Sequence, residues 1–92
     1  MKVRFLARAA QDLARIAERT RTESPAGAAR IGARLKKRAD DLTLFPEQGT
    51  LSPRTGLREI YVTRTPYILI YRVAANQVQI ITIVHAKQRR RS

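Results

Sequence analysis

The 92-residue chain sets 19 Lys and Arg against 7 Asp and Glu, a formal charge of +12 and a pI near 11.6. Its 43% hydrophobic content provides for one small core and no second. The absence of cysteine excludes disulfides, thiolate metal sites and Cys nucleophiles, and His85 alone builds no zinc site, so neither metal nor cofactor is expected.

No apolar run approaches the roughly 18 residues of a membrane span, the longest being Tyr67 to Tyr71. Arg4, Arg8 and Asp12 interrupt the N-terminus before a signal-peptide core forms. A soluble, cytoplasmic domain is therefore expected. A chain of this size buries only roughly 60 to 65% of its unfolded surface, so a partner that covers more of it is expected as well. The charge excess favours a polyanion or an acidic protein as that partner.

Val3 to Leu6 is a short β-prone run, after which Ala10, Leu13, Ala14 and Ala17, widened by Ile16, recur at helical spacing over roughly 9 to 22. Ser24-Pro25 opens a second helix, with Ser as N-cap and Pro at the first helical position. Its stripe is Ala28, Ile31, Leu35, Ala39 and Leu42, and two antiparallel helices follow from the short turn between them. Phe45-Pro46-Glu47-Gln48-Gly49 ends the second helix, and the chain to Gly56 reads as loop.

Beyond Gly56 the period becomes extended. Leu57 to Thr63, Tyr67 to Val73 and Val78 to Val84 read as three strands of an antiparallel meander, with turns at Arg64-Thr65-Pro66 and at Ala74 to Gln77. The helices belong on one face of this sheet, where both apolar stripes are buried. The fold class is thus α+β: a short N-terminal strand and a helical hairpin packed on an antiparallel sheet, all in a single domain over 1–92. Lys87 to Ser92 lacks periodicity and reads as a mobile basic tail.

The candidates for chemistry are few. Asp12, Glu18, Glu23, Asp40 and Asp41 sit on Arg-rich helices and read as solvated ion pairs at i,i+3 or i,i+4 spacing. No acid follows Glu59, so the sheet end is purely basic. Arg58, Arg64, His85 and Lys87 are residue types that cleave RNA without metal, with cations stabilising charge on phosphate. His85, at the end of a strand, reads first as a structural or partner-contact residue and second as an acid or base. Among the strand tyrosines, Tyr71 is expected to pack against the helices.

Order and wording together carry a resemblance. Asp12-Leu13 followed by Ile16-Ala17, then Ser24-Pro25, Phe45 to Gly49, Leu57-Arg58-Glu59, Thr65 to Val73 and Val84-His85-Ala86 are arranged as in the RelE/ParE superfamily of type II toxin-antitoxin toxins. The chain most resembles the ParE branch. The resemblance implies a growth-inhibiting toxin, directed at DNA gyrase, silenced by a cognate acidic antitoxin in a hetero-oligomer that reaches operator DNA only through the antitoxin. The alternative it implies is a RelE-like, ribosome-dependent mRNA endonuclease. That branch places an Arg where Ile68 stands, lysines near Glu59 and Tyr61, and a further Arg near Gln88, and the later catalytic Tyr has no counterpart.

Arg58, Arg64, Arg72, His85, Lys87, Arg89, Arg90 and Arg91 are accordingly expected to face the target. The antitoxin is expected on the helices, at Leu13, Arg15, Ile16, Arg19, Arg30, Ile31, Arg34, Leu35 and Arg38, with an extended part joining a free strand edge.

Overall fold

Local chemistry decides the helical hairpin. Ala7–Glu23 forms α1 and Pro25–Asp41 forms α2, with Ser24 alone between them. Ser24 is extended (φ −160°, ψ 109°), its N–H closes α1 on the Thr20 carbonyl, and its Oγ accepts from the Gly27 N–H at 3.0 Å. One residue thus ends one helix and caps the next, and Pro25 adds no unmet donor at the first position. Helix α1 begins two residues before and ends one residue after the expected span of roughly 9 to 22, and α2 opens at Pro25 as expected.

The computed structural model describes residues 1–89. Its sheet holds β1 (Lys2–Phe5), β2 (Thr50–Leu51), β3 (Arg58–Tyr61), β4 (Tyr67–Ala74) and β5 (Gln77–His85), in the order β1-β5-β4-β3-β2. The meander β3-β4-β5 is antiparallel, as the sequence implies, but β1 lies parallel to β5 and makes that edge mixed. A strand at Thr50–Leu51 replaces part of the expected loop. It exists through its pairing with Glu59 and Arg58, a contact that local sequence does not encode. The β4–β5 turn places Ala75 (φ 53°) and Asn76 (φ 56°) in the left-handed region, the geometry a two-residue hairpin demands.

The core forms where α1 and α2 cover one face of the sheet. Ala9, Leu35, Ala39, Leu42, Leu69, Tyr71, Val78 and Ile80 are fully buried there. Tyr71, as expected, is at its centre, and its hydroxyl donates to the Pro46 carbonyl (2.8 Å) while accepting from the Gly49 N–H (2.9 Å). Gly49 is required for that approach, because a Cβ would lie 2.6 Å from the Tyr71 hydroxyl. Among the described residues, no helix is long and apolar enough to cross a membrane.

The basic tail departs from expectation. Ala86–Arg89 forms a single helical turn, α3, and the Arg89 guanidinium forms a two-point ion pair with Glu59 on β3. The lack of periodicity in the sequence reflected a segment too short to show any. Arg90, Arg91 and Ser92 lie outside the described residues.

Candidate functional sites: an open sheet face, two basic grooves and an apolar seam

Alternation along β3 and its register with β4 bring Ile60 and Leu69 together on the face covered by the helices. Glu59 with Ile70, and Tyr61 with Ile68, therefore pair on the opposite face. The positions at which the ribonuclease branch carries its lysines and arginine thus do converge here. What they hold is a tyrosine, an isoleucine and a glutamate bound to Arg89. No Lys, Arg or His stands at Glu59, Tyr61 or Ile68, and the Glu59 carboxylate is engaged by Arg89.

The proposed metal-free set does not assemble elsewhere either. The Arg58 Nη1 donates to the carbonyls of Glu47 (3.0 Å) and Gly49 (2.9 Å), clasping the loop that follows α2. Arg64 sits in the β3–β4 turn at φ 65°, about 20 Å from Arg58 by the rise of an extended chain. Lys87 is exposed on α3, and Arg72 is exposed with its Nε on the Gln79 side chain at 2.8 Å. His85 lies across from Tyr67 with the rings edge to face, centroids 5.6 Å apart. Its Nδ1 accepts from the Lys87 N–H at 3.2 Å.

Asp12 is the residue that sequence reasoning misplaced. It is only 3% exposed, not solvated, because β1 leaves β5 after Phe5 and Leu6 and the outward N–H of Ile83 needs another acceptor. The Asp12 Oδ2 accepts from that N–H (3.0 Å) and from the Thr82 hydroxyl (2.6 Å), while Oδ1 takes Arg8 (3.4 Å) and Arg15. Burial pushes the carboxyl up, and the Thr82, Ile83, Arg15 and Arg8 contacts outweigh it, holding Asp12 below its ordinary value. A signal existed in the sequence: Asp12 falls within the stripe Ala9, Leu13, Ile16, on the buried side of α1.

Around Asp12 opens a cleft of about 300 Å³, lined on one side by Arg8, Arg15 and Arg19 of α1 and on the other by the end of β5 with Tyr67, His85 and Gln88. Farther along the same layer, a groove of about 310 Å³ runs between α2 and the β3–β4 turn, lined by Arg34, Lys37, Arg38, Asp41, Val62, Thr63 and Arg64. A third, shallow and largely apolar groove of about 520 Å³ follows the seam of the helices, past Leu13, Ala17, Ala28, Ala29, Gly32 and Ala33. The residues assigned to one antitoxin surface therefore divide. Arg15, Ile16 and Arg19 line the first cleft, Arg34 and Arg38 the second, and Leu13 the third. Arg30 is exposed and Ile31 is half-buried against the core. Leu35 is fully buried and cannot be touched by a partner, because its place in the α2 stripe turns it onto the sheet.

Among the described residues, no group of three His, Cys, Asp or Glu side chains is placed to hold a metal ion.

Comparison with known proteins bears on these surfaces. The family described as "ParE toxin of type II toxin-antitoxin system, parDE" matches residues 3–90. The chain is 43% identical over 79 residues to "Toxin RelE2" of Caulobacter vibrioides, covering 86% of this chain and 88% of that protein. It is 32% identical over 87 residues to "Putative toxin Y4kP" of Sinorhizobium fredii, covering 95% and 90%. A solved structure described as "Chromosomal ParDE TA system from P. aeruginosa" shares the fold, with a TM-score of 0.81 over 92% of this chain and 95% of that one at 24% identity.

Proposed function

This chain belongs to the ParE toxin family of type II toxin-antitoxin systems, and on that premise we propose that it arrests growth by binding DNA gyrase rather than by cutting mRNA. The observation that carries the choice is the open sheet face, where Tyr61 pairs with Ile68 and Glu59 is tied to Arg89. An endonuclease needs a base, an acid and cations converging on one phosphate, whereas an inhibitor of an enzyme needs only a shaped, charged surface. The exposed basic side chains of Lys87 on α3 and of Arg72, farther along β4 toward the β4–β5 turn, belong to the target-facing surface in this reading. The Glu59–Arg89 pair fixes α3 in place. In a translation extract the purified chain is expected to leave ribosome-bound mRNA intact, read as unchanged 5′ ends by primer extension. Codon-positioned cleavage would transfer the function to the ribonuclease branch.

Membership of the family also makes an antitoxin its partner. We infer that the antitoxin uses the α2 groove and the helical seam. Strand β2 pairs with β3 only at Arg58 and Glu59, so the outer edge of Ile60 and Tyr61 has no neighbouring strand among the described residues. An extended, acidic segment adds to that edge through backbone hydrogen bonds and lays its carboxylates on Arg34, Lys37, Arg38 and Arg64. Arg64 holds a left-handed backbone that costs an arginine on the order of 1 kcal/mol, which suits a position kept for contact rather than for stability. An apolar helical face of the same antitoxin covers the Ala-lined seam, and operator DNA is reached only through the antitoxin.

A further inference from the structure

We propose that the cleft between α1 and the end of β5 binds the phosphodiester groups of a nucleic-acid strand. Three features of its lining lead there. First, Arg8, Arg15 and Arg19 stand on the same side of α1, in a row about 16 Å long at 1.5 Å per residue. At roughly 3.4 Å of axial rise per nucleotide in a duplex strand, that row follows several consecutive phosphates.

Second, the unspent hydrogen-bonding capacity of the cleft is chiefly donors. Its carboxylate, Asp12, has both oxygens occupied by Arg8, Arg15, Thr82 and Ile83, so it neither attracts a cation nor repels an anion strongly. The same contacts orient Arg8 and Arg15, whose side chains remain 71% and 66% exposed at the mouth. His85 accepts at Nδ1, which leaves an N–H at Nε2 in the neutral ring. Gln88 spends its Oε1 on the His85 N–H at 3.2 Å, which leaves its amide NH2. Guanidinium forks beside two fixed N–H donors match phosphate oxygens.

Third, the cleft is closed to the occupant that suits the α2 groove. The β5 edge that borders it presents the N–H groups of Ile83 and His85, and these are taken by Asp12 and by Gln88. An extended peptide finds no ladder to join there, while a phosphodiester requires none. At about 300 Å³ the cleft is at the small end of ligand sites, the size for a backbone segment and not for a helix.

The test is fluorescence anisotropy of the full chain with a labelled single-stranded oligothymidylate over a range of salt concentrations, with a glutamate-rich peptide as competitor. Arg8→Gln with Arg19→Gln is expected to weaken binding about tenfold and to lower the slope of log K against log salt by between about 1 and 2. The charge-matched pair Arg34→Gln with Lys37→Gln is expected to change it less than threefold. Equal losses from the two pairs would reduce the effect to net charge and overturn the site. Competition by the peptide at equal charge would make the occupant an acidic protein and overturn it too. If Arg8→Gln loosens the fold, seen by circular dichroism, Arg19→Glu alone gives the deciding comparison, because Arg19 takes no part in the hydrogen bonds of Asp12.

Discussion

Replacing Asp12 by Ala is expected to destabilise the fold by about 2 to 4 kcal/mol, the cost of removing a buried acceptor from donors that have no other partner. The variant leaves the Ile83 N–H and the Thr82 hydroxyl without their acceptor, and it leaves Arg8 and Arg15 repelling each other beside the same cleft. A domain of this length has on the order of 5 to 14 kcal/mol to lose, so the loss takes a large share of its stability. Urea unfolding of the two proteins measures it.

The pH dependence has a defined sign. The folded carboxyl is held below its ordinary value, so its stabilisation is full above the unfolded pKa near 4 and is lost as pH falls through the lower folded value. Wild type is expected to lose stability on acidification below about pH 4, and Asp12→Asn is expected to flatten that part of the curve. A difference between the two proteins that stays constant from pH 7 to pH 2 would show that the fold leaves the Asp12 carboxyl at its unfolded pKa.

The second large effect concerns the antitoxin. Arg34→Glu with Lys37→Glu is expected to weaken the toxin-antitoxin complex by about 100-fold, since facing like charges across an interface costs several kcal/mol and each 1.4 kcal/mol is tenfold. Both positions line the α2 groove beside the open β3 edge. The loss is expected to diminish with added salt, while growth arrest by the uncomplexed variant persists. The complex is also expected to melt well above the free toxin, because a ligand specific for the folded state adds to its stability. Unchanged affinity in the double variant, by calorimetry, would remove the α2 groove from the docking surface.

The contrast between what the sequence discloses and what it hides has a physical pattern. Ser24-Pro25 marks a helix boundary because capping is a contact within three residues, and the β4 and β5 strands announce themselves by composition. Strand β2 and helix α3 are held instead by partners far along the chain: Thr50–Leu51 by Glu59 and Arg58, and Arg89 by Glu59. Asp12 was hidden for a similar reason. Beside Arg8 and Arg15 it reads as one more surface ion pair, and its burial follows from where β1 stops and from a bond to Thr82, 70 residues from Asp12 in sequence.

The basic residues are legible by count but not by placement. Helical period and sheet register send Arg15 and Arg19 to one edge of the molecule and Arg34 and Arg38 to another. Arg58 goes to a structural clasp on the loop at Glu47 and Gly49. Conversely, the absence of Lys and Arg at Glu59, Tyr61 and Ile68 is readable directly from the sequence. The structure adds that these positions share one face of the sheet.

Action on gyrase is read out by a supercoiling assay with purified gyrase, relaxed plasmid and the isolated chain. Inhibited supercoiling or accumulated cleaved plasmid, reversed by adding the antitoxin, is the expected result. Normal supercoiling without cleaved plasmid, at toxin concentrations that arrest growth, would contradict it.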